Sequence, residues 1–323
     1  MLLIVFFLFC VVCAAAGAGG YYWFKSQYFA AGPLTEDRIV LIERSTSGAT
    51  IAAKLAADGY ISNPTVFQYG NRLFGSQKPL RAGEFRVPVG SSAAEIAVIL
   101  QEGEQVVYRI TLPEGLTSTE MVDLLSDDPV LTGEIAAIPP EGSLLPETYH
   151  FHRGMTRQGI LDRAAKSMDD TVDELWAARR RDLPLASKEE LVILASIVEK
   201  ETGVASERPL VASVFVNRLN KKMRLQSDPT VVYGITNGAG PLGRPLSRAD
   251  LNAKTAYNTY QIDRLPSGPI ANPGRASLTA VIDPPETKYL YFVADGSGGH
   301  AFAETLNQHN SNVRAWRKFQ KAN

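Results

Sequence analysis

The stretch from Ser187 to Arg208, SKEELVILASIVEKETGVASER, constrains this chain more than any other. Ser187 suits an N-cap, and Glu190 stands three residues on, where its carboxylate can reach back to the cap N–H. Eight apolar or small residues follow, Leu191 to Val198. A helix without a polar face must be enclosed by protein on most sides, so the chain has to build a core around it. That rod ends in Glu199, Lys200, Glu201 and Thr202, with Glu207 close behind. Desolvation disfavours the charged form of a carboxyl group, which makes an acid at the end of a buried helix a candidate proton donor.

Two carboxylates compete for that role. Two residues apart on a helix, Glu199 and Glu201 do not face one another, so they are not a hydrolase-type pair. At about 100° per residue, each lies roughly 80° to either side of the stripe through Leu191, Leu194, Ala195 and Val198. The helical wheel does not choose between them. Position alone is equally compatible with two solvated charges at a helix end.

The chain around this helix has 323 residues, 45% of them hydrophobic and 21% charged, enough for a sizeable core divided into two or three units. A formal net charge of −1 and the lack of a long basic run argue against nucleic acid as a partner. The two cysteines, Cys10 and Cys13, both fall in the N-terminal apolar segment, which leaves no disulfide framework and no thiolate metal site elsewhere. Four histidines without an HExxH pattern give no metal site and call for no cofactor. His300 and His309 have no nucleophile or metal partner in view and read as structural. His150 and His152 alternate on one face of a strand and lack a third ligand.

Residues 2 to 24 carry no charge. About 20 residues of helix cross a bilayer core, and Tyr21, Tyr22 and Trp23 stand where an interfacial aromatic belt belongs, with Lys25 just beyond. The rival is a cleaved signal peptide, for which Ala14 to Gly20 offers small residues. The apolar run exceeds a usual signal core, so residues 1–24 are expected to be an uncleaved, single-pass anchor in the plasma membrane, with the bulk of the chain outside the cytoplasm.

Beyond the anchor the pattern is α+β. Gly32 to Glu36 reads as a linker. A strand, a turn and an amphipathic helix then recur three times between residues 33 and 125. The strands are RIVLIE, EFRVP and VYRITL, and capping boxes open the second helix (Ser92 to Glu95) and the third (Thr117 to Glu120). Such units cannot bury their apolar faces alone and are expected to pack on each other. Residues 126 to 145 read as a connection. A helix is expected over Gly159 to Arg180, another over Val211 to Leu219, and a glycine- and proline-rich surface after Met223. A short helix at Ser277 to Ile282, a strand at Tyr289 to Val293 and a tail helix from about Asn310 complete the chain.

The block IVEKETGVASERPLVASVFVNRL, then MRLQSDPTVVYG, LSRADL, AYNTY, LPSGPIANPG, YLYFVADGSGGHAF and HN closely resembles the YceG-like endolytic murein (lytic) transglycosylases, the MltG family. The resemblance covers residues 145 to 323, and it implies a catalytic domain of lysozyme-like fold with a loop-rich cleft. The N-terminal membrane segment and the strand–helix units resemble the same family, whose N-terminal part contains a LysM-like module. In that family a glutamate of the VEKET motif is catalytic, and in the wider lysozyme-like transglycosylases the acid is followed by Ser or Thr. Glu201 precedes Thr202, so the resemblance assigns the acid to Glu201 and keeps Glu199 as the alternate.

Around that acid, Gln226, Asp228 and Thr230 of the QSDPT block are candidate sugar-binding residues, although Asp before Pro is also an ordinary turn starter. Tyr257, Asn258 and Tyr260 offer aromatic faces and an amide to a saccharide, or else belong to the core. Glu147, in LPETY, lines the cleft or caps a helix. The resemblance implies peptidoglycan glycan strands as substrate and cell-wall synthases as partners. The reaction expected is cleavage of the MurNAc–GlcNAc bond of nascent strands to leave 1,6-anhydro ends. The competing reading is a peptidoglycan-binding scaffold with an idle site; a hydrolase is a third, and it predicts reducing ends instead.

Overall fold

A computed structural model describes residues 2–76 and 78–322. The architecture is mixed α+β, and the chain separates into two compact units: Met1–Tyr108 with His150–Gly154, and Arg109–Tyr149 with Met155–Asn323.

The first unit opens with α1 (Leu2–Phe29), which is long and apolar enough to cross a membrane. It is followed by β1 (Arg38–Ile42), α2 (Gly48–Ala57), α3 (Pro64–Phe74), β2 (Gly83–Val87) and α4 (Ala93–Glu102). β1 and β2 pair antiparallel with Val40 opposite Phe85. Alternate side chains of β1 point inward, as the period of two requires, so Val40 and Ile42 meet Ile51 and Leu55 of α2 and Ile96 and Leu100 of α4 in one core. The capping box of α4 forms in full: Ser92 Oγ accepts from Glu95 N–H while Glu95 accepts from Ser92 N–H. α3 has no counterpart in the expected pattern. It starts on Asn63, whose Oδ1 accepts from Thr65 and Val66 N–H, with Pro64 in its first turn.

α1 does not end at the expected anchor boundary. It runs on to Phe29, and Tyr28 is 1% exposed within the core of this unit. Helix α3 packs against that last stretch, and Gly70 lets it come close: a Cβ there would sit 2.4 Å from the Tyr28 ring.

β3 (Tyr108–Thr111) and β4 (Thr148–Phe151) form a further two-stranded sheet. The third of the expected strand–helix repeats therefore does not join the first two. Its strand pairs with β4, and its helix, α5 (Ser118–Ser126), belongs to the second unit, where it opens on its expected capping box.

In the second unit follow α6 (Arg157–Ala178), α7 (Lys188–Glu201), α8 (Arg208–Asn220), α9 (Asp228–Thr236), α10 (Arg248–Asn252), α11 (Arg275–Ile282), β5 (Tyr291–Ala294), β6 (His300–Ala303) and α12 (Leu306–Ala322). The apolar run of α7 is buried throughout, from Leu191 to Val198, against α6, α8, α9 and α11. At about 1.5–3 kcal/mol for each large apolar side chain removed from water, this helix anchors the unit. Its capping departs from expectation by one residue. Ser187 Oγ accepts from Glu190 N–H at 3.4 Å, but the Glu190 carboxylate bonds Ala186 N–H at 2.8 Å, not the cap N–H, and also meets Arg264. Asp228 and Pro229, read as a turn, open α9 with the proline in its first turn. α10 and β6 were not expected, and α12 begins at Leu306, four residues before Asn310.

Candidate active site

Thr202 closes the turn after α7, its Oγ1 accepting from Val204 N–H at 3.0 Å, and itself stays buried. The two glutamates just before it then meet different surroundings. The Glu199 side chain, 5% exposed, accepts from Gly274 N–H at 2.9 Å and from Arg208 Nη2 at 3.5 Å. The same guanidinium stands 3.6 Å from Glu114, whose carboxyl is pushed up by burial and by Glu199 and drawn down by Arg208. Glu199 is thus committed to a framework of ion pair and backbone.

The Glu201 carboxyl accepts a hydrogen bond from Ser227 Oγ to Oε1 at 2.5 Å. Burial pushes its pKa up to about 7; the Ser227 hydroxyl opposes the rise, the Asp228 charge adds to it, and His300 and Arg218 oppose it. A carboxyl in this state is protonated in a large fraction of molecules near neutral pH and can serve as an acid.

The local fold explains why Ser227 points there. Ser227 precedes α9 in the N-cap position but makes no side-chain cap bond, leaving its hydroxyl for Glu201. Its N–H donates to Thr259 Oγ1 at 2.9 Å, and Thr230 Oγ1 donates to its carbonyl at 2.6 Å, so the serine is gripped from both sides. Gln226, exposed just before it, takes φ +48°. A left-handed non-glycine residue costs on the order of 1 kcal/mol, which this network of threonines offsets.

Asp228 is exposed, and its Oδ1 accepts from Tyr260 Oη at 2.7 Å. Asp228 also lines a cleft of about 650 Å³ together with Lys200, Tyr233, Leu242, Arg244 and Ile270. Tyr233 and Tyr257 have ring centroids 4.8 Å apart at 55°, which places Tyr257 behind the wall that Tyr233 forms. Thr230 and Asn258 are fully buried. The Asn258 amide donates to the carbonyls of Asp250, Leu251 and Ala253 and its Oδ1 accepts from Tyr260 N–H, so Asn258 shapes the loop instead of presenting its amide to a ligand. Glu147 is exposed immediately before β4, which excludes the helix-cap alternative.

Three groups escaped sequence reasoning. Glu207 accepts from His300 Nδ1 at 2.7 Å and from His300 N–H at 2.8 Å, so the imidazole is held by a carboxylate. Arg218, 7% exposed, donates to Leu225 O at 2.6 Å and to Leu290 O at 2.7 Å, tying down the segments that lead to Ser227 and to β5. Glu141 bonds Ser118 N–H, Asn272 Nδ2 and Tyr233 Oη, and burial pushes its carboxyl up. Only GGHAF and the VNRL end of α8 hinted at the first two; nothing local marks Glu141. His309 stacks on Tyr291 at 5.2 Å, and burial lowers its pKa. Among the described residues no three His, Cys, Asp or Glu side chains converge as a metal-ligand set.

The YceG-like family model matches residues 40–315, and the chain belongs to that family. It is 30% identical over 301 residues to an endolytic murein transglycosylase of Bacillus subtilis, a match covering 83% of this chain and 82% of the relative. An endolytic murein transglycosylase of Streptococcus pneumoniae is 26% identical over 312 residues, and there the match spans 81% of this chain and 55% of the longer relative. Among solved structures, a YceG-like protein of Listeria monocytogenes is similar with a TM-score of 0.51 and 29% identity, covering 85% of this chain and 99% of that one.

Proposed function

We propose that this protein is an endolytic peptidoglycan lytic transglycosylase in which Glu201 is first the general acid and then the general base. The observation that carries the reading is the enclosed Glu201 carboxyl at the end of α7, with a pKa near 7 and the Ser227 hydroxyl on Oε1. The names of the relatives support the reaction class.

The proton account closes on one carboxyl group. Protonated Glu201 gives its proton to the GlcNAc O4 as the bond from O4 to MurNAc C1 breaks. The MurNAc 6-hydroxyl oxygen then bonds to C1, and its proton returns to the Glu201 carboxylate. No water is consumed, and the new end is a 1,6-anhydro sugar. Between the two transfers Glu201 is an anion in a desolvated place; the Ser227 hydroxyl, with Arg218 and His300 nearby, favours that form. Acid–base transfer of this kind contributes about 10²- to 10⁴-fold, leaving the rest to positioning and electrostatics. Glu199, bound to Arg208 and Gly274, is the structural neighbour in this reading. Asp228, Gln226 and Tyr260 are the side chains proposed to meet the glycan along the cleft, with Tyr257, Thr230 and Asn258 behind them.

α1 serves as a single-pass anchor that holds the catalytic part outside the plasma membrane, close to nascent strands and to the synthases that make them. The first two strand–helix units of residues 33–125 are proposed as LysM-like, and residues 145–323 as a lysozyme-like catalytic domain.

One observation favours a second reading. Asp228 carries a charge near Glu201, and two flanking carboxylates are what a hydrolase uses. Digestion of purified glycan strands separates the readings by mass: 1,6-anhydro ends for the lytic reaction, reducing ends for hydrolysis, intact strands for a scaffold. Glu201→Gln is expected to abolish product formation while the fold persists; undiminished cleavage would overturn the assignment.

A further inference from the structure

The rings at the base of α1 carry an inference about the first unit. Phe74, the last residue of α3, packs its ring among four rings of α1, 5.5 Å from Tyr21, 6.3 Å from Phe24, 6.0 Å from Tyr28 and 6.3 Å from Phe29, while Gly70, one turn earlier on α3, lies against Tyr28. At the start of α3, Asn63 and Val66 line a small cavity with Ala30 and Ala31, so contacts move backward along α1 as the chain moves forward along α3: the two helices run antiparallel, and the Phe74 ring stands between Tyr21 and Phe29. Tyr21, Tyr22 and Trp23 are 50%, 68% and 60% exposed, the position of an aromatic belt, and Lys25 is the first charged residue of the chain. On the outer stripe of α3, Tyr69 and Leu73 are 50% and 64% exposed and one turn apart, with exposed Arg72 beside them. An exposed apolar stripe whose end touches the Tyr21 ring of an aromatic belt, with Arg72 and Lys25 close by, has the amphipathic composition that lies in a headgroup layer.

We infer that the C-terminal end of α3, through Leu73 and Phe74 with Tyr69 at its margin, is a second membrane contact that inserts into the phospholipid interface beside α1. This rests on the reading of α1 as a bilayer-spanning anchor. The unit then has two points of attachment, one spanning and one interfacial. The upper end of α3, at Thr65, faces water; at 1.5 Å per residue it lies about 12 Å farther from the bilayer than Leu73.

The test uses the full chain reconstituted in vesicles of phosphatidylethanolamine and phosphatidylglycerol, with nitroxide labels read by collision with oxygen and with a water-soluble nickel chelate. Cys10 and Cys13, both free and exposed on α1, report on the anchor in the native chain. In a Cys10→Ser, Cys13→Ser background, single labels go to Thr65→Cys, Tyr69→Cys and Leu73→Cys, positions whose exposure leaves the core intact. The expected result is deep labels at Cys10 and Cys13 and an oxygen-to-nickel ratio that climbs from Thr65 through Tyr69 to Leu73, several-fold between the ends. A flat, water-like ratio along α3 with deep labels at Cys10 and Cys13 would overturn the contact and leave the anchor standing. Water-exposed labels at Cys10 and Cys13 would remove the anchor and the contact with it. A Leu73 label shielded from both relaxants, or broadened by a neighbouring spin, would mean that protein or a second copy covers the stripe, and would also overturn the inference.

Discussion

Glu201 carries an electrostatic penalty whose sign is testable. Its folded pKa of about 7 lies above the ordinary carboxyl value, so folding favours the protonated form. The stabilisation is full below the unfolded pKa near 4.5 and is lost as pH rises through 7. Glu201→Gln removes the titration, and is expected to raise Tm at pH 8.5 while leaving it little changed at pH 4.5. The upper bound is about 3 kcal/mol at alkaline pH. Thermal melts of the two proteins at both pH values check this. Ser227→Ala acts on the same group in the opposite sense. Without the hydroxyl that favours the anion, the acid becomes weaker and the alkaline limb of the pH–rate profile moves upward. Turnover falls as well, since the anion between the two proton transfers loses its donor, by roughly the 1.5–3 kcal/mol of a hydrogen bond to a charged group. A profile that shifts downward would contradict the geometry described.

At the scale of elements, the β5–β6 hairpin is attached to α8 through Glu207, which holds both the backbone and the ring of His300. Glu207→Ala is expected to lower kcat more than KM because it frees the imidazole near Glu201, whereas Glu207→Gln, which still accepts a hydrogen bond, is expected to restore part of the loss. Steady-state kinetics on glycan strands of defined length measure the split. This attachment also marks the limit of what the sequence discloses. Helices with strong local signals were legible: the capping boxes of α4 and α5 and the apolar run of α7 stand where their residues imply. α3 and α9 were hidden because Asn63-Pro64 and Asp228-Pro229 start turns and helices alike. The acid was narrowed by resemblance to a motif, while its environment was not readable at all. Ser227 is 26 residues from Glu201, and His300 is 93 from Glu207. Hydrogen bonds across such separations follow from how α7, α8 and the loops pack, and no short-range period encodes them.

On the scale of the whole chain, two cores imply two stability units. Gly70→Ala drives a Cβ to within 2.4 Å of the Tyr28 ring and is expected to cost about 1–3 kcal/mol through overpacking. Ile197→Ala empties a fully buried site in α7 at a cost of about 2–5 kcal/mol. Hydrogen exchange resolved by segment should show lost protection in α2, α3 and α4 for the first variant and in α7, α8 and α11 for the second. Loss spread evenly over the chain in either variant would mean a single cooperative unit instead.

Tyr28 sits in a helix that passes without interruption from its apolar stretch into the first unit's core. A protein tethered by a flexible linker is indifferent to the lipid beneath it; one whose stalk is fused to its body is not. Where the hydrocarbon layer is thin or thick relative to the helix, the stalk leans to compensate. With α1 as the proposed anchor, the first unit must lean with it, and bilayer thickness becomes a mechanical input to the tilt of that unit.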